Sequence, residues 1–226
     1  MAEKNLPGEP GVRPYATDIE YLMDLVAWIQ VRANRIARQR ELNERDAANP
    51  LLASRRGRNV YRDALPGSVE ELLERETSLL VEIDGRAALN RTVGPDLGLD
   101  RLCRQHGLND VERMVLLLGF VPCLGSDFCA TGLSKVDSLV TSAMIHIEMV
   151  NLFMELDLSQ GLKSLLCIAP GAPLRENNLI RLSYEPQSPS DACGVGIELS
   201  PAAVAVMTGI PEFAAFAAPQ VQDGEE

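Results

Sequence analysis

A mainly helical chain carrying one small β-hairpin near its C-terminal end is the fold class this sequence predicts. Three observations predict it. Apolar residues recur at helical spacing through most of the chain, and capping signatures of the Ser/Thr/Asn-x-x-Glu kind open three of the runs. Only two short segments, 179–183 and 196–199, alternate apolar and polar residues with the period of a strand. Hydrophobic residues make up 46% of the 226 positions and aromatics only 4%, so the core must be aliphatic and large enough to exclude wholesale disorder.

Taken in order, residues 1–16 are rich in Pro and Gly and read as a flexible tail. Thr17 and Glu20 form the first capping box, and Leu22, Leu25, Val26, Ile29, Ala33 and Ile36 then repeat on one helical face to about residue 47. Asn49-Pro50 stops that helix, and 51–66 read as a linker, so 17–66 form a helical arm. Ser68 and Glu71 form a second box opening a helix through Leu72, Leu73 and Leu79. Its continuation LLVEIDG fits helix or strand, and Gly94-Pro95 closes the segment. A short helix over 99–106, a turn at Gly107 and a helix capped by Asn109 and Glu112 follow, the helix-turn-helix pattern. Further helices are expected at 145–156 and 159–167. The two alternating segments flank a turn-rich loop, 185–194, and Ser200-Pro201 starts a last helix that Gly209 ends. Helices followed by a hairpin with a long loop describe a winged-helix-like body over 67–210, with 211–226 as a second flexible tail.

The run LGLDRLCRQHGLNDVERMVLLLGFVPCL, residues 97–124, resembles the region ahead of the ATPase module in a group of bacterial AAA-type ATPases. The matching features are Leu99, Leu102, His106-Gly107-Leu108, Glu112-Arg113 and Leu116 to Leu118. Pro170-Gly171-Ala172-Pro173-Leu174 is similar to the segment before the first wing strand of that group. The stretch from Ile197 through Gly209 is similar to its following strand and helix. The resemblance implies a winged-helix accessory domain, with an AAA-type ATPase or a second copy of the chain as partner. It also points to gene clusters for extracellular contractile injection systems. The ATPase module expected after residue 210 has no counterpart in this sequence.

Chemistry-bearing patterns are sparse. Gly161-Leu162-Lys163-Ser164 lacks the first glycine of a phosphate-binding loop and the glycine beside its lysine. Cys103, His106, Cys123 and Cys129 have the wrong second spacing for a tetrahedral zinc site, and the five cysteines read as reduced thiols. Only His106 and His146 could serve a nucleophile as base, and no G-x-S-x-G elbow exists. No enzyme, cofactor or metal is therefore expected. The longest apolar run, near 114–121, is too short to span a membrane, and no secretory leader is read at the start, which points to the cytoplasm.

The net charge of −11 divides unevenly, +2 over residues 1–66 and −13 beyond, with nine arginines between Arg32 and Arg62 in the arm. An acidic chain repels phosphate backbones, and the helix after the tight turn is apolar, so nucleic acid is disfavoured. A winged-helix DNA-binding regulator is the alternative. The reading adopted is a non-catalytic adaptor or regulatory module acting through protein contacts. Its expected partner-binding residues are Leu22, Leu25, Val26, Ile29 and Ile36, since a stripe of that size must be covered by the acidic body, another copy or a partner.

Overall fold

The computed structural model describes residues 13–47, 67–125 and 144–217. The stop at Asn49-Pro50, the 51–66 linker, Cys129 and the segment 126–143 lie outside them. Helix α1 (Asp18–Ala47) begins where the sequence places it. Thr17 Oγ1 accepts the Glu20 N–H at 3.1 Å, but the Glu20 carboxylate reaches one residue further back, to the Ala16 N–H. Helix α2 (Val69–Val93) carries both halves of the Ser68/Glu71 box and runs through LLVEIDG without a break. The start of α1 meets the end of α2 through Arg86, Glu20 and Asp24, and the middle of α1 meets the start of α2 through Arg32, Arg35 and Glu76. The two helices are therefore antiparallel.

Helices α3 (Gly98–His106) and α4 (Asp110–Phe120) form the expected pair, with Gly107 left-handed at φ 62° between them and the Asn109/Glu112 box complete. A side chain at Gly98 would put its Cβ 2.0 Å from the Val206 carbonyl, so only glycine lets α3 approach the last helix this closely. Val115, Leu116, Leu117 and Leu118 of α4 are all completely buried. Helix α5 (Ile147–Phe153) starts later than the spacing suggests, because Ile145 is spent on a bridge to Ile197 in the sheet. Helix α6 (Leu158–Ser164) runs into a 3-10 turn at Leu165–Ile168, and α7 (Pro173–Glu176) leads into the hairpin.

Strands β1 (Ile180–Leu182) and β2 (Ile197–Leu199) pair antiparallel, with Ile180 opposite Leu199, Arg181 opposite Glu198 and Leu182 opposite Ile197. The loop between them holds a one-turn helix α8 (Pro189–Cys193) capped by Ser188. Helix α9 (Pro201–Thr208) has its Ser200 cap and a left-handed Gly209, as the sequence predicts. Residues from α1, α2, α3, α4, α5, both strands and α9 share one hydrophobic core.

Two boundaries need correction. The stretch 1–16, expected as a tail, contains Tyr15, which is fully buried. Asn90 fixes it by accepting the Tyr15 N–H at 2.7 Å and donating to the Tyr15 carbonyl at 2.9 Å, as a neighbouring strand would. Within the stretch 211–226, likewise expected as a tail, Pro211–Ala217 forms a 3-10 helix with Phe213 against the core.

Candidate protein-interaction surface

The five residues expected to bind a partner are core residues. Leu22, Leu25, Val26 and Ile29 are each 1% exposed, and Ile36, at 5%, is buried in the same core. The stripe had to be covered, and the chain's own elements cover it. The sequence reading is corrected here: these side chains present no docking face in this fold.

The polar side of α1 explains how the cover is held. Arg32 Nη1 donates to Glu76 Oε1 at 2.5 Å, and Arg35 Nε donates to Glu76 Oε2 at 2.6 Å, so one buried carboxylate serves two guanidiniums. Arg35 also grips both oxygens of Glu155, at 3.0 and 2.7 Å, in the two-pronged geometry that suits a carboxylate. Arg32 Nη2 adds a bond to Glu155 at 3.2 Å, and Arg32 Nε donates to the Phe153 carbonyl at the end of α5. The Arg35 hydrogen bonds hold the Glu155 carboxyl below its ordinary pKa, against a smaller opposing effect of burial. Glu155 pays for this with a left-handed backbone, φ 51°, that a side chain disfavours. The arginines of α1 thus fix the turn between α5 and α6.

Beyond that turn lies a helix built the wrong way round for a globular surface. Asp157 and Gln160 cap α6 reciprocally, at 2.8 and 3.1 Å. Its inward side is small and polar. Ser164 is the only buried residue of α6, with its Oγ 2.5 Å from Asn151 Oδ1 and 2.7 Å from the Gly161 carbonyl. A Cβ at Gly161 would stand 3.2 Å from Asn151 Nδ2, so the helix sits close on α5. The outward side carries Leu158 and Leu162, exposed by 82% and 60%, and Leu166 in the 3-10 turn that follows is 67% exposed. Leu158 and Leu162, four residues apart, share one face of α6, and Leu166 follows in the 3-10 turn that continues it. Single exposed leucines are ordinary; three close together beside a polar inward side make an exposed apolar patch.

Sequence reasoning expected a helix at 159–167 but missed the direction of its faces. The available signal was Ser164, which stands two residues from Leu162 and so on the opposite side of the helix.

The remaining chemical candidates have structural surroundings. His146 Nδ1 lies 3.1 Å from the Val195 carbonyl. Burial raises the Cys103 thiol to about 11 and the Cys167 thiol to about 12, far from the range of an activated nucleophile. Among the described residues no group of His, Cys, Asp or Glu is arranged to hold a metal, and no helix is long and apolar enough to cross a membrane. In the hairpin loop, Arg175 binds both oxygens of Glu185, at 2.9 and 2.7 Å.

A helical body with a tight-turned helix pair, followed by an antiparallel hairpin and a closing helix, defines a winged-helix protein. Residues 3–219 match the family model described as "Winged helix domain, variant", and the chain belongs to that family. No curated protein and no solved structure matches it.

Proposed function

We propose that this winged-helix chain is a non-catalytic adaptor or regulatory module that works in the cytoplasm through protein contacts. The partner the sequence resemblance favours is an AAA-type ATPase, in the setting of a contractile injection system. The observation that carries the reading is the outward leucine patch of Leu158 and Leu162 on α6 and Leu166 in the 3-10 turn after it, with the helix capped by Asp157 and the turn before it held by the Arg35–Glu155 pair. An apolar patch held in this way is suited to docking against another protein, because little ordering is lost when it binds.

The DNA-binding alternative lacks such support. The helix after the tight turn has Glu112 and every residue from Val115 to Phe120 buried, which leaves little of it to lie in a groove. The hairpin loop carries Glu185 and Asp191 and no Lys or Arg between residues 183 and 196.

The test is complex formation between the full chain and AAA-type ATPase modules that lack a winged-helix region, followed by light scattering and calorimetry. A complex that is lost on Leu162→Asp, with the melting curve unchanged, is the expected result. Failure to bind any such module, together with tight sequence-selective binding of duplex DNA, would replace this reading by the DNA-binding one.

A further inference from the structure

The hairpin offers a second surface of a different kind. Ile197 exchanges both of its backbone hydrogen bonds with Ile145, at 3.1 and 2.8 Å, so β2 is paired along both edges. Strand β1 is paired along one only, among the described residues. Its register shows which groups are left over. Bonds from Ser200 N–H to the Leu179 carbonyl and from Ser183 N–H to the Gly196 carbonyl bracket the ladder, which makes Arg181 the residue bonded to β2 between them. In an antiparallel strand the intervening residues direct their backbone groups the other way. The N–H and C=O of Ile180 and Leu182 therefore point to the outer edge. Ile180 and Leu182 also line a cleft of about 270 Å³ together with Arg175, Asn178, Tyr184 and Glu185.

We propose that the outer edge of β1 is a strand-addition site for an extended, acidic segment of a partner protein. Only an extended chain can satisfy a row of outward N–H and C=O groups. Ile180 and Leu182 would each make a two-bond pair with it. Between those pairs, the incoming residue opposite Arg181 occupies the position without backbone bonds, where facing side chains come closest. Arg181 is exposed. On its β2 side it faces Glu198, and the incoming strand brings a second neighbour on the other side. A carboxylate there completes an acid–base–acid row, whereas a cation would oppose Arg181 directly.

The same geometry disfavours a second copy. The two-fold pairing that uses both outward residues of each β1 sets Arg181 against Arg181, a like-charge pair at closest approach. The site uses none of the leucine patch, so it stands or falls apart from that surface.

The probe is a short fluorescent peptide alternating valine and threonine with one central glutamate, and its twin with lysine at the centre. Anisotropy on the full chain should show the glutamate peptide binding more tightly, by roughly five- to ten-fold, the sum of one favourable and one unfavourable cross-strand pair. Arg181→Glu should reverse that preference. Leu182→Pro removes an N–H that β2 does not use, and should abolish binding of both peptides. If L182P does not fold, the charge reversal in R181E decides alone. Absence of binding by either peptide, or equal preference in wild type and R181E, overturns the proposal. So does binding that appears only after residues 218–226 are removed, which would make the chain's own end the occupant. Concentration-dependent self-association abolished by L182P would also overturn it, in favour of a second copy.

Discussion

Leu22, Leu25, Val26, Ile29 and Ile36 on α1, and Leu158 and Leu162 on α6 with Leu166 in the 3-10 turn after it, are both apolar leucine-rich faces, one sealed inside the chain and the other turned to solvent. Their spacing does not distinguish them. What differs is the chemistry beside each stripe. The flank of α1 carries Arg32 and Arg35, which find matching carboxylates on α2 and after α5. The side of α6 that meets α5 carries Gly161 and Ser164, whose groups are matched by Asn151 of α5. In both helices the polar groups select the buried orientation. In α1 they accompany the apolar stripe inward, and in α6 they turn it outward.

The largest expected effect breaks the first half of that comparison. Changing Leu25 and Ile29 together to Asp puts two carboxylates into an aliphatic core with no cation arranged to receive them. Loss of about 5 kcal/mol or more is expected, comparable to the whole stability of many domains. The chain should lose its cooperative melting transition in circular dichroism. A body that still melts cooperatively would mean that α1 is a separate arm after all.

Much of the fold was legible before any coordinates because caps and turns are local. Ser68 with Glu71, Asn109 with Glu112, Gly107, Ser200 with Pro201 and Gly209 all act where the sequence puts them. The alternating segments pair as a hairpin for the same reason. What escaped the sequence is long-range. Periodicity states that the α1 stripe must be covered and says nothing of what covers it. Asn90 clamping Tyr15 spans 75 residues with no local signature, and Glu155 takes a left-handed backbone where no glycine or asparagine marks it. The apolar patch of α6 was invisible because a helix of seven residues is too short for its periodicity to reveal which side is buried.

The second effect in size concerns the carboxylate shared by the two arginines. Glu76→Ala leaves Arg32 and Arg35 enclosed, with only the half-exposed Glu155 between them. Removing one member of a buried ionic group costs about 3–5 kcal/mol, read as a lower denaturation midpoint with an unchanged slope. A loss under about 1 kcal/mol would show that water reaches the site and that the pair is no stronger than a surface one.

Smaller still is the effect at Glu155. Its carboxyl titrates below the ordinary value of 4.5 in the folded chain. The stability it supplies is therefore complete above the unfolded value and is lost as pH falls through the folded one. Because the side chain is half exposed, Glu155→Gln should cost about 1 kcal/mol or less at pH 7. It should also flatten the acid limb of the stability curve between pH 5 and pH 3, a window of about two units around the unfolded carboxylate value. An acid limb identical to wild type would remove Glu155 from the groups that set it.

The smallest expected change in stability is at the leucine patch itself, and it is the sharpest test of the comparison. Leu162 is 60% exposed, and its neighbours in the patch, Leu158 and Leu166, are exposed as well. An Asp at position 162 meets water instead of an aliphatic wall, so it needs no partner and opens no cavity. It also follows the capped first turn of α6, where the Asp157–Gln160 bonds are untouched. Leu162→Asp should therefore stay within about 0.5 kcal/mol of wild type in chemical denaturation, the range of surface substitutions. The same chemical change at Leu25 should unfold the chain. If L162D instead costs several kcal/mol, the patch is covered within the chain and α6 has the same orientation rule as α1. A neutral result leaves an exposed Leu162 that the fold itself does not require, and its contribution must then be read in binding.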